Sequence, residues 1–197
     1  MGKRKRLWRF WHSARLTLSR GAEKKKAYSD KHGLFALFGD NVIFQPKTLP
    51  IYSELIKLHD NVTVGRNVEF VCHDIIHRSF NCSPLVGEGF KERVGCIEVM
   101  DNSFIGNGAI VMYDVRIAEN NIIAAGSVVT KSTEPNSVYA GVPAKKIGSF
   151  TDAASKREAM EKAGLISTVS RNQAMTSEEA EFAWQVFYEK NNERPNK

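Results

Sequence analysis

The chain has 197 residues, of which 42% are hydrophobic and 25% are charged, and its formal net charge is +6. That length accommodates one domain with appendages, and no apolar run approaches the ~20 residues that a membrane-spanning helix needs. The three cysteines, Cys72, Cys82 and Cys96, are an odd number without paired spacing, so we expect free thiols and a cytoplasmic protein.

The positive charge is concentrated at the start of the chain. Residues 1–31 carry eleven Lys and Arg against only Glu23 and Asp30. We therefore predict that residues 1–38 form a basic helical N-terminal arm, separate in character from the rest of the chain. The charge does not by itself indicate a nucleic-acid partner, and none is expected.

The opening segment MGKRKRLWRFWHSARLTL mixes these cations with Trp8, Phe10 and Trp11. This pattern is typical of a basic amphipathic helix that lies on an anionic membrane surface. The alternative is that the aromatic residues pack on the body of the protein or on a neighbouring subunit while the charges are solvated. Peripheral contact of residues 1–20 with the inner membrane surface is thus one of two hypotheses.

The next segment has a six-residue period. The sequence DNSFIGNGAIV, starting at Asp101, is echoed 18 residues later by ENNIIAAGSVV, starting at Glu119. This period is neither helical nor that of an alternating strand, but it suits short strands that turn a corner every six residues. Three such units close a triangular coil that stacks on the next coil, so residues 39–148 are predicted to form a parallel β-helix. The aliphatic positions are Val99, Ile105, Val111, Ile117, Ile123 and Val129.

Earlier coils are predicted from the same rhythm at Leu58, Val64, Phe70 and Ile76. Asp-Asn dipeptides stand where corners are expected, and Asn tolerates the left-handed backbone that corners need. These dipeptides are Asp40-Asn41, Asp60-Asn61 and Asp101-Asn102.

One segment breaks the period. From Ile76 to Val99 the spacing is 23 residues, which is not a multiple of six. Residues 77–96 are therefore predicted to leave the coil as an excursion loop, and loops this long in compact domains usually carry function or are disordered. After the β-helix, residues 149–197 are predicted to form helices, with a capping box of Thr176 and Glu179 opening the last one.

These residues resemble a known family. An aliphatic residue, then Gly or Ala, two loose positions and Ser, Ala or Val form the signature of the hexapeptide-repeat acyltransferases. The segment IIAAGSVVTKSTEPNSVYAGVPAKKIG, Ile122 to Gly148, resembles the closing coil and cap of the maltose and galactoside O-acetyltransferase branch. The resemblance implies an all-β core of left-handed coils with helical appendages at both ends. The repeat alone could not predict that hand, because β-to-β crossovers are otherwise nearly always right-handed.

The resemblance also implies an activity. In this family a His at the break after the last N-terminal coil is the catalytic base, and His73 in FVCHDIIHRSF matches that position. A free imidazole, with a pKa of about 6.5, is mostly neutral at cell pH and can take the proton of a hydroxyl as that hydroxyl attacks a thioester. His77 is the alternative base. The expected reaction is direct acetyl transfer from acetyl coenzyme A, without a covalent enzyme intermediate.

The donor site is likewise implied by the resemblance, in a groove between two subunits of a homotrimer. Ala125 would offer its backbone to the pantetheine arm, and Asn107 would lie near the thioester. Thr130, Lys131 and Lys145 would lie near the nucleotide and its phosphates, where Lys side chains act as point charges. A metal ion is not implied.

The acceptor is not determined by these residues. Aromatic faces suit sugar rings, so Tyr52, Phe80 and Phe90 are candidate stacking groups for a sugar or glycan. The leading interpretation is transfer to a hydroxyl of a sugar or polysaccharide unit. Alternatives are a xenobiotic O-acetyltransferase and a non-catalytic trimeric scaffold. A zinc site like that of the γ-class carbonic anhydrases would need three His ligands, and no His follows His77.

Overall fold

The computed structural model describes residues 3–169 and 174–191. The chain divides into two compact units, Met1–Phe150 and Thr151–Lys197. The first unit opens with two helices, α1 (Lys3–Leu18) and α2 (Ala22–His32), and Gly33 ends the second of them in the left-handed conformation. These two helices occupy most of the segment that the sequence assigns to a helical arm.

Short strands come after the helices, most of them two or three residues long. In chain order they are β1 (Leu37–Phe38), β2 (Ile43–Phe44), β3 (Ile56–Leu58), β4 (Thr63–Val64), β5 (Glu69–Val71), β6 (His73–Asp74), β7 (Arg93–Val94), β8 (Ile97–Val99), β9 (Phe104–Ile105), β10 (Ile110–Met112), β11 (Val115–Ile117), β12 (Ile122–Ile123), β13 (Val128–Val129), β14 (Ser137–Ala140) and β15 (Lys145–Ser149).

Three parallel sheets form the walls of the unit. The first wall is β1-β3-β8-β11, the second is β2-β4-β9-β12-β14 and the third is β5-β10-β13. Successive strands of a coil belong to successive walls, so the chain turns a corner after each strand, which is the architecture of a parallel β-helix. The antiparallel strand β15 pairs with β14 and ends the second wall. The predicted parallel β-helix is confirmed.

The register repeats the sequence period. In the last two full coils Ile97 pairs with Val115, Phe104 with Ile122 and Ile110 with Val128, each 18 residues apart. Between the second and third coils the spacing is 41, as in the pair Ile56 and Ile97, because an excursion is inserted there.

The core lies inside the three walls. All six predicted aliphatic positions from Val99 to Val129 are at most 1% exposed. The prediction for Ile76 is wrong, because its side chain is 50% exposed. The chain has already left the coil at β6, so counting by six no longer applies there. Asn121 is fully buried at a corner position, and its Nδ2 donates to the carbonyl oxygens of Glu119 and Glu134 at 3.0 and 2.9 Å.

The corner between the first and second walls carries a ladder of asparagines, which we call the asparagine corner. Each ladder residue has a φ between 52° and 58°, which confirms the left-handed corners. Each side-chain Nδ2 donates to the Oδ1 of the next Asn, at 2.9 to 3.2 Å. The members are Asn41, Asn61, Asn102, Asn120 and Asn136.

The excursion begins and ends in a two-stranded antiparallel ribbon, in which β6 pairs with β7. It contains one short helix, α3 (His77–Asn81).

The second unit contains two helices. All of α4 (Phe150–Lys162) except Phe150 belongs to it, and so does the whole of α5 (Ser177–Lys190). Thr176 with Glu179 forms the predicted capping box at the start of α5. None of the helices in residues 3–169 and 174–191 is long and apolar enough to cross a bilayer.

Candidate active site

The base of the excursion is held by polar contacts. The hydroxyl of Tyr113 donates to Oδ2 of Asp74 at 3.0 Å, and this hydrogen bond raises the pKa of Tyr113. Arg93 donates to Asp114 at 3.0 Å, and its guanidinium lies 4.5 Å from the centre of the Tyr113 ring. Asp74 is thus engaged by Tyr113 and by the backbone of Ile76, at 3.1 Å, rather than by a histidine.

His73 lies at the start of this ribbon, with its side chain 24% exposed. Its ring contacts the ring of Tyr52 edge to face, with centroids 5.2 Å apart. Its Nε2 lies 4.0 Å from Oε1 of Glu92, while its Nδ1 is buried and has no hydrogen-bond partner in the described part of the chain. The environment of His73 is therefore one aromatic face and one carboxylate.

Tyr52 links these groups. Its hydroxyl donates to Glu92 at 3.1 Å, and that hydrogen bond raises the pKa of Tyr52, so the phenol keeps its proton. The backbone of Tyr52 is left-handed, with φ 59° and ψ 42°, a conformation that costs an L-residue about 1–2 kcal/mol. Strain of this kind commonly marks functional positions.

A cleft of about 950 Å³ opens above these residues. His73 and His77 both line it, together with Trp8 and Arg9 of α1. The Nδ1 atom of His77 is also buried without a hydrogen-bond partner among the described residues. The structure therefore brings both candidate bases into one cleft.

Cys72 directly precedes His73 but is not part of the cleft. It is fully buried, and burial raises the pKa of its thiol to about 12. A thiol in that state is not a nucleophile at neutral pH. Cys72 therefore serves as a wall residue of the coil.

Two of the predicted donor residues meet at the corner between the second and third walls, which we call the glycine corner. Asn107 and Ala125 occupy equivalent positions in successive coils, and the carbonyl oxygen of Asn107 accepts from the N–H of Gly126 at 2.9 Å. Gly108 and Gly126 come next in the chain with φ of 69° and 70°, and a Cβ added to either would meet nothing within 4 Å. The corner is therefore a strip of exposed backbone with few side chains.

The remaining donor residues divide between two places. Lys145 begins β15, beside the glycine corner, because the N–H of Ala144 donates to the carbonyl oxygen of Val128 at 2.8 Å. Thr130 and Lys131 come directly after β13 and lie at the corner between the third and first walls. Lys131 and Lys145 are exposed.

The candidate base and the glycine corner are apart within one chain. Oδ1 of Asn107 accepts from the N–H of Arg66 at 2.8 Å, and His73 lies seven residues beyond Arg66. Fully extended chain of that length would span roughly 20 Å, which is an upper limit because Asn67 turns with a φ of 57°. Strand β5 lies between Arg66 and His73, so His73 and the strip of backbone at Asn107 and Ala125 lie near opposite ends of the third wall.

Of the candidate stacking groups, only Tyr52 lies in the cleft. Phe80 and Phe90 pack on each other inside the excursion, with ring centroids 5.1 Å apart. No sequence pattern indicated Glu92 or Trp8, because their approach to His73 depends on how the excursion and α1 fold back. Residues 3–169 and 174–191 contain no group of three His, Cys, Asp or Glu that could hold a metal, and His59 bonds Glu98 instead.

Comparison with solved structures identifies the fold. A hexapeptide-repeat acetyltransferase from Vibrio cholerae, complexed with acetyl coenzyme A, has a TM-score of 0.56 and 18% identity, over 76% of this chain and 90% of that chain. A maltose O-acetyltransferase from Clostridium difficile has a TM-score of 0.54 and 21% identity, over 74% of this chain and 86% of that chain. The β-helix described above is thus the fold of hexapeptide-repeat proteins.

Sequence comparison extends this likeness. A putative acetyltransferase of Schizosaccharomyces pombe is 34% identical over 122 residues, covering 56% of this chain and 54% of the relative. Galactoside O-acetyltransferase of Escherichia coli is 41% identical over 98 residues, covering 49% of this chain and 45% of the relative. The chain thus spans about half the length of these two relatives.

A third relative is matched over more of its length. A putative acetyltransferase of Staphylococcus aureus is 31% identical over 139 residues, covering 63% of this chain and 69% of the relative. Residues 97–131, the most regular coils, match the bacterial transferase hexapeptide family, described as six repeats. Repeat, fold and relatives agree, and the chain belongs to the hexapeptide-repeat acetyltransferase family.

Proposed function

We propose that the protein is an acetyl-coenzyme-A-dependent O-acetyltransferase that transfers acetyl directly to a hydroxyl of a sugar or polysaccharide unit. The observation that carries this proposal is the setting of His73. A half-buried imidazole stands at the long break in the coils, in a cleft large enough for a sugar, between an aromatic ring and a carboxylate. Its role is general base.

The geometry supports distinct roles for the two ring nitrogens. Nδ1 is buried, so Nε2 is the nitrogen available to an acceptor hydroxyl in the cleft. As Nε2 takes the hydroxyl proton, the hydroxyl oxygen bonds the acetyl carbon, the thioester C–S bond breaks and coenzyme A leaves, and the ring is positively charged with Glu92 at 4.0 Å. A carboxylate at that distance stabilises the imidazolium, and the Tyr52 hydroxyl fixes the carboxylate in place.

The donor side rests on the glycine corner. Acetyl coenzyme A supplies an activated acetyl thioester, and its pantetheine arm is a narrow chain of amides. The strip of exposed backbone at Asn107 and Ala125 fits such a chain, because neither Gly108 nor Gly126 places a side chain over it. Lys145 at the cap end offers a cation for the phosphates, and Lys131 offers a second one from the next corner. Lys146 pairs with Glu134 at 2.7 Å.

The separation of His73 from the donor strip bears on the oligomeric state. A base and a donor strip at opposite ends of the third wall of one chain cannot meet in a single active site unless a second copy supplies one of them. A closed ring of three identical β-helices satisfies this at every interface, so we infer a homotrimer of left-handed coils with shared sites.

The acceptor assignment rests on the cleft walls. Tyr52 and Trp8 provide aromatic surface, and Arg9, Arg78 and Glu92 provide polar groups that can bind hydroxyls or charged substituents. Apolar ring faces with polar edges are the chemistry of pyranose sugars.

A complementation experiment tests the shared site. His73→Ala removes the base, and Ala125→Trp obstructs the donor strip, so each homotrimer should be inactive in a thiol-release assay with acetyl coenzyme A and a panel of sugars. Mixed trimers formed by co-expression should regain activity, because some interfaces then combine an intact base with an intact strip. Inactive mixed trimers, or a wild-type monomer that is active in light-scattering fractions, would contradict the proposal.

A further inference from the structure

Helix α1 packs on the β-helix through a narrow strip of mixed polarity, and its large aromatic residues are not in that strip. Its buried residues are Ser13, at 8% exposure, and Leu16, at 2%. The hydroxyl of Ser13 accepts from the N–H of Leu49 at 2.8 Å, which fixes the helix against the first coil. A helix on a globular protein normally buries its apolar stripe and exposes its polar one.

The apolar side of α1 faces away from the protein. Leu7, Trp11 and Leu18 are 60%, 61% and 74% exposed, and their spacing of four and seven residues places them on one side of the helix. We call these three residues the outward face. Nothing in the described part of the chain covers them.

Arg15 borders the outward face, and further cations line a groove on the other flank of α1, none of them with a partner of opposite charge among the described residues. A groove of about 550 Å³ beside α1 is lined by Arg6, Arg9 and Lys47, and no carboxylate contributes to its walls. Arg15 is exposed on the helix itself, and the first turn of α1 has no acidic residue. None of these four cations takes part in an ion pair among the described residues.

We propose that the outward face of α1 docks the protein on an anionic phospholipid bilayer. Leu7, Trp11 and Leu18 would enter the boundary between headgroups and acyl chains, where Trp side chains are favoured. The exposed Arg6, Arg15 and Lys47 would meet lipid phosphates, and the lack of carboxylates in the groove suits an anionic surface. An apolar stripe on a helix that contains several cations and no carboxylate matches an anionic lipid surface better than a neutral protein partner.

Docking through α1 would also bring the cleft of His73 close to the bilayer. Trp8 and Arg9 belong to α1 and line the cleft of His73, so a bilayer under α1 lies beside the cleft. The acceptor would then be a glycan carried at the membrane surface. That consequence rests on the proposed function, whereas the docking itself does not.

Vesicle co-sedimentation tests the docking with no acetyl donor present, so its outcome is independent of enzyme activity. The wild-type protein should sediment with vesicles of phosphatidylcholine and phosphatidylglycerol at low salt, at least about tenfold more than with phosphatidylcholine alone. About 1 M salt, where the Debye length is about 3 Å, should abolish most of that difference. No sedimentation of the wild-type protein would overturn the proposal.

Two variants separate the apolar and the ionic contributions. Leu7→Ser with Trp11→Ser should lower binding at least about tenfold, whereas Leu85→Ser, at a still more exposed site in the excursion, should not change it. Arg6→Gln with Lys47→Gln should lower binding several-fold and flatten the salt dependence, with Lys91→Gln and Lys156→Gln as the matched control. Unchanged binding in both test variants would overturn the proposal. So would a change of oligomer mass in the first variant, since the outward face would then lie between copies.

Discussion

The coils near the cap and the coils near the N-terminal arm share the six-residue repeat, but only the coils near the cap follow it without insertions. From Ile97 to Val129 strands repeat every 18 residues without an insertion. Earlier strands pair at spacings of 20 and 41, and the extra residues carry Tyr52, His77 and Glu92. The regular coils bury the core and offer a plain backbone strip, while the insertions supply the side chains around His73. In this chain the periodic part gives structure and the interruptions give chemistry.

The sharpest test of that division is removal of the base. His73→Ala should lower turnover by about two to four powers of ten, the usual contribution of a positioned general base. Binding of acetyl coenzyme A, measured by calorimetry, should change little, because the donor strip lies in the regular coils. His77→Ala is the matched control and should leave most of the activity. The reverse result would assign the base to His77.

A second pair of variants compares the two regions by stability. Ile123→Ala should cost about 2–5 kcal/mol, because the side chain is fully buried in a regular coil. Ile76→Ala should cost less than about 0.5 kcal/mol, since that side chain is exposed although it obeys the same count of six. Urea unfolding of both variants measures the difference. Equal losses would mean that the core extends into the excursion.

The asparagine corner allows a smaller and more local test. Asn102→Ala should cost about 2–3 kcal/mol, because it places Ala at a φ of 57° and removes two ladder hydrogen bonds. Asn67→Ala has the same φ outside the ladder and should cost only about 1 kcal/mol. Chemical denaturation at neutral pH separates the two. A cost for Asn67→Ala that equals that of Asn102→Ala would show that the ladder contributes nothing beyond the turn.

The smallest expected effect concerns Glu98 in β8, where the regular coils begin. Hydrogen bonds from His59, and then from Arg116, lower the pKa of its carboxyl below the ordinary value. A lowered pKa means that the carboxylate stabilises the folded state above pH about 4.5 and that this contribution is lost as the pH falls through the lowered value. Glu98→Gln should therefore lose less than about 1 kcal/mol at pH about 7. At pH about 3 the variant and the wild type should differ less in urea unfolding. A difference that grows in acid would contradict this assignment.

The sequence predicted the regular part of the fold well, because from Val99 to Val129 every sixth residue is aliphatic and buried. It was wrong at Ile76, where the same rule was counted past the point at which β6 turns to pair with β7. That pairing is long-range, and no local pattern announces it.

The site was predicted only in part for a similar reason. His73 is recognisable from the family motif, but its neighbours Tyr52 and Glu92 are 40 residues apart and meet only through a hydrogen bond. The orientation of α1 was also not predictable, because the same helical pattern allows either face to pack. The structure shows that Ser13 and Leu16 face inward and that the outward face of α1 stays uncovered by the described residues.

The asparagine corner has one more consequence, for how the coils find their alignment during folding. Every coil carries many similar aliphatic residues, so a strand displaced by six positions would still bury an apolar side chain against its neighbour. Such a shift would place a ladder Asn opposite a residue of another corner. The hydrogen-bonded ladder from Asn41 to Asn136 would then be interrupted. Each Nδ2 donates to the Asn of the following coil, so the hydrogen bonds of the ladder all run in the same direction along the β-helix. The asparagine corner therefore favours one register between neighbouring coils and one direction of stacking.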